Sequence, residues 1–226
     1  EANLQDNTIK ENYLGKNIEM NHFGLYGLRY GNANEAQQIN LSLQAVTDVS
    51  HQHGAPLGIS YYSGGIELLP DIGYVRDSSV YRYSKTPAFA HNVAWSGGSR
   101  PSHAEVGSLY ARPSVLAYDD GSTNGKTIQL VEGSNLMPSL YKLNTNRRLV
   151  MMIATDENHS YAVDIQRLKG GTVHEAYLIQ NEEEDAALTT SLALPEKFSG
   201  KLSDWLTSQG KTGGLILSNG YSSIIQ

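Results

Sequence analysis

Alternation of apolar and polar residues with a period of two is the feature that most restricts the fold of this chain. In INLSLQAV, every second side chain from Ile39 to Ala45 is apolar, as expected for a half-buried β-strand rather than a helix. LGISYYSGGIELL predicts two further strands around a turn at Ser63-Gly64-Gly65. The central part of the chain is therefore predicted to be a set of antiparallel strands.

The same pattern continues towards the C-terminus. LVMMIAT, SYAVDIQRL and TVHEAYLIQ predict a three-stranded meander, and GGLILSNGYSSIIQ predicts a hairpin around Ser218-Asn219-Gly220. Only EKFSGKLSDWLTSQ, with Leu202, Trp205 and Leu206 at helical spacing, favours a short helix. With 226 residues and no fixed-period repeat or internal linker, the sequence predicts one all-β domain over residues 1–226. The expected architecture is a two-sheet antiparallel β-sandwich with at most one or two short helices.

Composition excludes several classes of protein. Hydrophobic residues make up 39% of the chain, and no apolar stretch is long enough for a membrane helix. The net charge of −6 gives no footprint for nucleic acid, and the absence of cysteine excludes disulfides and thiolate metal sites. The 22 glycines and 14 tyrosines, against three phenylalanines, favour a turn-rich protein whose aromatic surfaces carry hydroxyls and suit sugar grooves.

The N-terminal residues EANLQDNTIKENYLGKN are polar, without a recognisable signal peptide and without an initial methionine. We therefore expect the chain to be a segment of a longer protein, with residues 1–20 as a linker or interdomain segment.

Histidine and aspartate residues define a candidate metal site. In SHQHG, His51 and His53 stand just before a predicted strand, and on extended chain both would leave the same face about 7 Å apart. Asp71 follows in GIELLPDIGY and His91 in AFAHNVAW. Imidazole and carboxylate ligands suit zinc, and three protein ligands with one open position are typical of a working zinc site. The alternative from spacing alone is a set of surface or hydrogen-bonded histidines.

Four motifs extend this pattern from His22 to about Leu178: HFGLYGLRYG, SHQHGAPLGISYYSGGIELLPDIGY, AFAHNVAWSGG and NRRLVMMIATDENHSYAVDIQRLKGGTVHEAYLI. Together they resemble the C-terminal β-sandwich domain of the heparinase II/III-like polysaccharide lyases. In that family an HxH pair opens a core strand, a Leu-Leu-x-Asp-x-Gly-Tyr element follows, and a His-Asn pair begins the next strand. The late block fits through Tyr161, Val163, Asp164, Gly170, Gly171 and His174. One departure is Ala55, where the family commonly carries an aspartate.

The resemblance implies a role for each candidate. His53, Asp71 and His91 become zinc ligands, whereas His51 faces the substrate cleft as a catalytic or neutralising imidazole. The alternative is that both histidines of the pair bind zinc in a closed, four-ligand structural site. His174 is interpreted as a hydrogen-bonded core or cleft residue rather than a ligand.

The lyase reaction also needs groups that transfer protons and groups that bind an anionic sugar. In GYVRDSSVYRYSK, Tyr81 and Tyr74 are candidate catalytic residues in addition to His51, and Tyr81 is the first choice. The candidates for substrate binding are Arg76 and Arg82, because a guanidinium pairs well with a uronate or sulfate, and Tyr83, which shares a strand face with Tyr81 if the segment is extended.

The resemblance implies the sandwich portion of a lyase that cleaves a uronic-acid-containing polysaccharide, heparin- or heparan-sulfate-like or alginate-like, by β-elimination. Its implied partners are an anionic polysaccharide and an N-terminal α-helical toroid of the same protein, without nucleic acid or membrane, and its implied location is periplasmic or secreted. The segment alone is expected to be inactive. The alternative is a non-catalytic carbohydrate-binding or structural module with a structural zinc.

Overall fold

A computed structural model describes residues 16–31, 37–43, 55–64, 66–70, 91–96, 112–136, 143–178, 196–201 and 221–225. Within these ranges the chain forms thirteen strands and one short 3-10 turn at Ser122–Asn124, with no α-helix. The described part also contains no helix long and apolar enough to cross a membrane. The prediction of an all-β chain is therefore confirmed.

Two antiparallel sheets make up most of the described structure. The first has five strands in sequence order: β1 (Ile18–Met20), β2 (Leu25–Tyr30), β3 (Gln37–Ser42), β4 (Gly58–Ser63) and β5 (Ile66–Leu69). The second has four strands in the order β10-β9-β8-β7: β7 (Arg112–Asp119), β8 (Ile128–Leu136), β9 (Leu143–Ala154) and β10 (Ser160–Gly170). Two short pairs join β6 (Ala94–Ser96) to β11 (His174–Ala176) and β12 (Glu196–Lys201) to β13 (Tyr221–Ile225).

The core lies between the two large sheets. Burial along β3 and β9 alternates with a period of two, so one face of each strand is covered and the other is not. The buried side chains come from both sheets: Tyr26, Leu28, Ile39, Leu41, Leu43, Leu57, Ile59, Tyr61, Val131, Val150 and Met152. This shared apolar layer makes the fold a β-sandwich, as the sequence predicts.

Gly133 in β8 allows the two sheets to approach closely. A Cβ at this position would lie 2.0 Å from Leu43 Cδ2, closer than two carbon atoms can stand. Polar side chains also join the sheets, since Gln129 Nε2 donates to Arg29 O at 2.9 Å and Asn135 Nδ2 donates to Leu43 O at 2.7 Å. The relative position of the sheets is thus fixed by both packing and hydrogen bonds.

Two local predictions from the sequence are wrong. The third strand of the predicted meander leaves its neighbours, because Gly170 and Gly171 adopt positive φ angles of 97° and 72° and turn the chain so that β11 pairs with β6. Residues 196–201 form strand β12 instead of the start of a helix, since pairing with β13 supplies backbone partners that a weak helical pattern does not outweigh. The apolar residues that suggested the helix, and the predicted turn at Ser218-Asn219-Gly220, lie outside the described residues.

Candidate functional site

The structure describes one of the predicted site residues, His91. The remaining candidates lie outside the described residues: His51, His53, Asp71, Tyr74, Arg76, Tyr81, Arg82 and Tyr83. The site is therefore built from His91 and from the described residues that flank the other candidates in the sequence.

His91 lies in the interior immediately before β6. The side chains of His91, Asn92 and Val93 are all buried, with exposures of 0%, 1% and 0%. The backbone turns tightly here, because Val93 N donates to His91 O at 3.1 Å. A buried imidazole in a fixed turn has the environment expected of a structural or metal-binding histidine.

Asn92 connects this turn to the hairpin of β4 and β5. Its side-chain Nδ2 donates to Pro70 O at 2.8 Å and to Ile59 O at 3.2 Å, while its own carbonyl accepts from Ile59 N at 3.3 Å. Pro70 directly precedes Asp71 in the sequence, and Asn92 directly follows His91. One buried amide therefore joins the segments that carry two of the three predicted zinc ligands.

Arg148 in β9 completes this arrangement from the opposite sheet. Its side chain is 1% exposed. Nη1 donates to Leu57 O at 2.8 Å and to Asn92 O at 2.5 Å, whereas Nε and Nη2 donate to the two carboxylate oxygens of Asp164 at 2.8 and 2.7 Å. We call Leu57, Ile59, Pro70, Asn92 and Arg148 the Asn92 junction. It holds four stretches of chain together through buried hydrogen bonds.

Leu57 occupies an unusual backbone conformation within the junction. Its φ is 59°, in the left-handed region, which costs a residue other than glycine about 1–3 kcal/mol. The turn is closed by a hydrogen bond from Gly58 N to Ala55 O at 2.9 Å, and the Leu57 side chain is buried in the core. Burial and the hydrogen bond from Arg148 offset the strain. Ala55, which replaces the expected aspartate, thus lies in a tight turn that leads directly into the junction.

The Gly-Gly-x-x-His block supports the same region from outside. His174 Nε2 donates to Gly170 O at 2.6 Å, and the imidazole is exposed, so the expectation of a hydrogen-bonded residue is confirmed but a core position is not. The strand that begins at His174 pairs with β6, and Tyr177 N donates to Val93 O at 2.9 Å. The block therefore holds the residues that follow His91 in place through backbone hydrogen bonds.

Two of the tyrosines with raised pKa values, Tyr26 in the core and Tyr118 packed against it, serve the sandwich itself. Burial is the main cause of the raised pKa of Tyr26, with smaller contributions from Glu19 and Tyr118. Burial also raises the pKa of Tyr118, partly opposed by a hydrogen bond with Asn17. Their rings pack 5.8 Å apart, and Tyr26 OH donates to Asn21 Oδ1 at 2.5 Å. The rings of both tyrosines therefore contribute to the packing of the sandwich.

The described residues contain no group of three histidine or carboxylate side chains placed to hold a metal ion. His53 and Asp71 lie outside those residues, so the predicted zinc set stays a prediction. Of this set the structure describes His91, whose imidazole is buried, and it joins Asn92 to Pro70, the neighbours of His91 and Asp71 in the sequence.

No protein-family model matches the sequence, and no curated protein matches it. Solved structures do. The crystal structure of heparinase III matches with a TM-score of 0.57 and 15% identity over 93% of this chain and 33% of that chain. The heparan sulfate lyase HepC from Pedobacter heparinus matches with a TM-score of 0.50 and 15% identity over 68% of this chain and 22% of that chain.

The chain has the fold of part of these lyases. Sequence identity of 15% establishes a shared fold and not a shared activity. The chain spans between about a fifth and a third of the length of these structures.

Sequence reasoning gave no role to Arg148 or to the side chain of Asn92, which hold the junction together. A signal for Arg148 was available: in RRLVMMIA it shares a strand face with Val150 and Met152, which are buried. A charged residue on an otherwise apolar face must be paired when the strand is covered.

Proposed function

We propose that this chain is the sandwich portion of a polysaccharide lyase that cleaves a uronic-acid-containing polysaccharide, heparan-sulfate-like or alginate-like, by β-elimination. The observation that carries the proposal is the hydrogen bond from Asn92 Nδ2 to Pro70 O, since it joins the segments of His91 and Asp71. The fold shared with heparinase III supports the same assignment.

The proposed site holds one zinc ion through His53, Asp71 and His91. Two imidazole nitrogens and one carboxylate oxygen are a common zinc donor set with a position left open. Described residues close to each ligand in sequence meet at the junction: Leu57 on the side of His53, Pro70 before Asp71, and Asn92 after His91. When bound, zinc would supply positive charge and a cross-link between these segments.

The remaining candidates are proposed to carry the reaction. A base removes the proton from C5 of the uronate, and a double bond forms between C4 and C5. The C4–O bond breaks, its electron pair stays on oxygen, and the departing oxygen gains a proton. His51, Tyr81 and Tyr74 are proposed for these proton transfers and for neutralising the carboxylate. Tyr83, Arg76 and Arg82 are proposed to bind the anionic sugar.

The whole protein is proposed to include an N-terminal α-helical toroid that provides the other wall of the cleft, and to act in the periplasm or outside the cell. The sandwich alone is then inactive. The alternative, a carbohydrate-binding or structural module, shares the fold and the zinc ion but not the cleavage.

The reaction is tested on the full-length protein with heparan sulfate and alginate as substrates. Elimination leaves an unsaturated uronyl end that absorbs ultraviolet light, so an increase in absorbance is the expected result. His51→Ala and Tyr81→Phe should each lower kcat by about 10²- to 10⁴-fold while zinc content is retained. Cleavage without the chromophore indicates a hydrolase, and binding without cleavage indicates the binding module.

Zinc content tests the ligand assignment separately. The full-length protein should contain about one zinc per chain, and His53→Ala, Asp71→Ala and His91→Ala should each lose it, because ligand number and geometry determine affinity. His51→Ala should retain zinc. Loss of zinc in that variant instead supports the closed four-ligand site.

A further inference from the structure

Arg148 makes four described side-chain hydrogen bonds, two of them to backbone carbonyls of the Asn92 junction, although it lies in the opposite sheet from β4 and β5. Its guanidinium binds two backbone carbonyls, those of Leu57 and Asn92, and both oxygens of Asp164. Leu57 and Asn92 are 35 positions apart in the sequence, so no local turn could hold their carbonyls on one side chain.

The geometry points to Arg148 as a positioning residue for the site around His91. It fixes the carbonyl of the residue after His91 and the carbonyl that ends the turn Ala55–Leu57. Asp164 in β10 sets the plane of the guanidinium through two parallel hydrogen bonds, so that one nitrogen faces both carbonyls. This inference rests on the proposed function, because it assigns the purpose of the arrangement to zinc binding.

The left-handed backbone of Leu57 is consistent with this role. A leucine adopts that conformation only when its surroundings determine it, and strained residues of this kind tend to occur at sites where geometry matters. Arg148 binds the carbonyl of this strained residue. Loss of the hydrogen bond should therefore let the turn relax and move the segment that follows His53.

Lysine cannot replace Arg148, because an ammonium group is a point charge and cannot hold a carboxylate with two parallel bonds while also reaching two carbonyls. Arg147 provides a matched control. It is the neighbouring residue in the same strand, and it also makes two hydrogen bonds to a carboxylate, that of Glu132, on the opposite face. Arg148→Lys and Arg147→Lys thus make the same chemical change on opposite faces of β9, the first on the face that contacts the junction and the second on the other face.

The first measurement is zinc affinity of the full-length protein by competition with a chelator. Arg148→Lys should raise the dissociation constant about 10- to 100-fold, the range found when groups that orient metal ligands are altered. Arg147→Lys should stay within about twofold of the unmodified protein. An unchanged affinity in Arg148→Lys overturns the inference.

The second measurement is amide hydrogen exchange without zinc. In Arg148→Lys, exchange should accelerate at Ile59, Val93 and Tyr177, whose amides donate within or next to the junction, and stay unchanged in the ladder between β7 and β8. Equal acceleration in both regions means that Arg148 only stabilises the fold, and it overturns the inference. If Arg148→Lys does not fold, Asp164→Asn replaces it, since it leaves the arginine present but removes its orienting carboxylate.

The outcomes also separate this inference from the proposed function. If the unmodified protein binds no zinc, the proposed zinc site is wrong, and the exchange pattern alone then decides whether Arg148 positions the segment around His91. If the unmodified protein binds zinc and Arg148→Lys binds it equally well, the zinc site stands and the role of Arg148 is wrong.

Discussion

Arg147 and Arg148 are neighbours in β9, but they lie in very different surroundings. The side chain of Arg148 is 1% exposed and contacts three separate stretches of chain. The side chain of Arg147 is 41% exposed and binds Glu132, which also binds Arg167. The first arrangement joins the two sheets, whereas the second joins strands within one sheet.

The difference shows how burial changes the contribution of the same chemical group. A guanidinium without water must have every donor satisfied, and removing one partner leaves a buried charge unpaired. A guanidinium at the surface exchanges a carboxylate for water at little cost, so exposed ion pairs contribute about 0–1 kcal/mol. The inner arginine should therefore be required for the arrangement of the junction, and the outer arginine should not.

Removal of the two side chains is the strongest test of this comparison. Arg148→Met should lower the free energy of unfolding by about 2–4 kcal/mol, because two buried carbonyls lose their donor and Asp164, whose side chain is 25% exposed, loses its partner. Arg147→Met should lower it by about 1 kcal/mol, because Arg167 still pairs with the carboxylate of Glu132, which is 9% exposed. Urea unfolding measures both, and similar losses in the two variants would contradict the comparison.

Substitutions on the two faces of β8 should also differ in their cost, with the larger loss of stability on the face that packs against the core. Gly133 faces the core, and the added methyl of Gly133→Ala would meet Leu43 at 2.0 Å and Leu57 at 3.3 Å, so we expect a loss of about 1–3 kcal/mol. Ser134 faces outward, where its hydroxyl hydrogen bonds with that of Ser114 in an exposed position. Ser134→Ala should cost about 0.5 kcal/mol or less. Thermal unfolding of both variants checks the difference, and an unchanged melting temperature in Gly133→Ala would show that the sheets move apart without cost.

The inner and outer faces of the sheets could be predicted from the sequence, because a period of two assigns each residue to a face. Ile39, Leu41 and Leu43 are buried as expected, and β4 and β5 flank the predicted turn at Ser63. The partner of β11 could not be predicted, because it depends on the left-handed conformations of Gly170 and Gly171.

The candidate site was less predictable than the fold for a similar reason. The His-Asn pair marks a position in the sequence, but the partners of Asn92 lie 22 and 33 residues away, at Pro70 and Ile59. Arg148 lies 91 residues from Leu57, whose carbonyl it binds. Hydrogen bonds of this range depend on how the two sheets stack, which the alternation of side chains does not specify.

The turn between β9 and β10 extends the comparison to charges with the greatest exposure, where the effect should be smallest. Asp156 accepts hydrogen bonds from Asn158 N at 2.9 Å and from His159 Nδ1 at 2.7 Å. The side chain of Asp156 is 58% exposed, and that of His159 is 75% exposed. The backbone hydrogen bond from Asn158 is the main cause of the lowered pKa of Asp156, and the hydrogen bond from His159 adds to it. A lowered pKa in the folded state means that the carboxylate stabilises the fold above its unfolded pKa, and that this contribution disappears as the pH falls through the folded pKa. Asp156→Asn should therefore unfold at a slightly lower urea concentration than the unmodified protein at pH 7, and the two should converge in acid. The shift should be smaller than that of Gly133→Ala, and a larger one would mean that exposure does not determine how much a charge contributes in this sandwich.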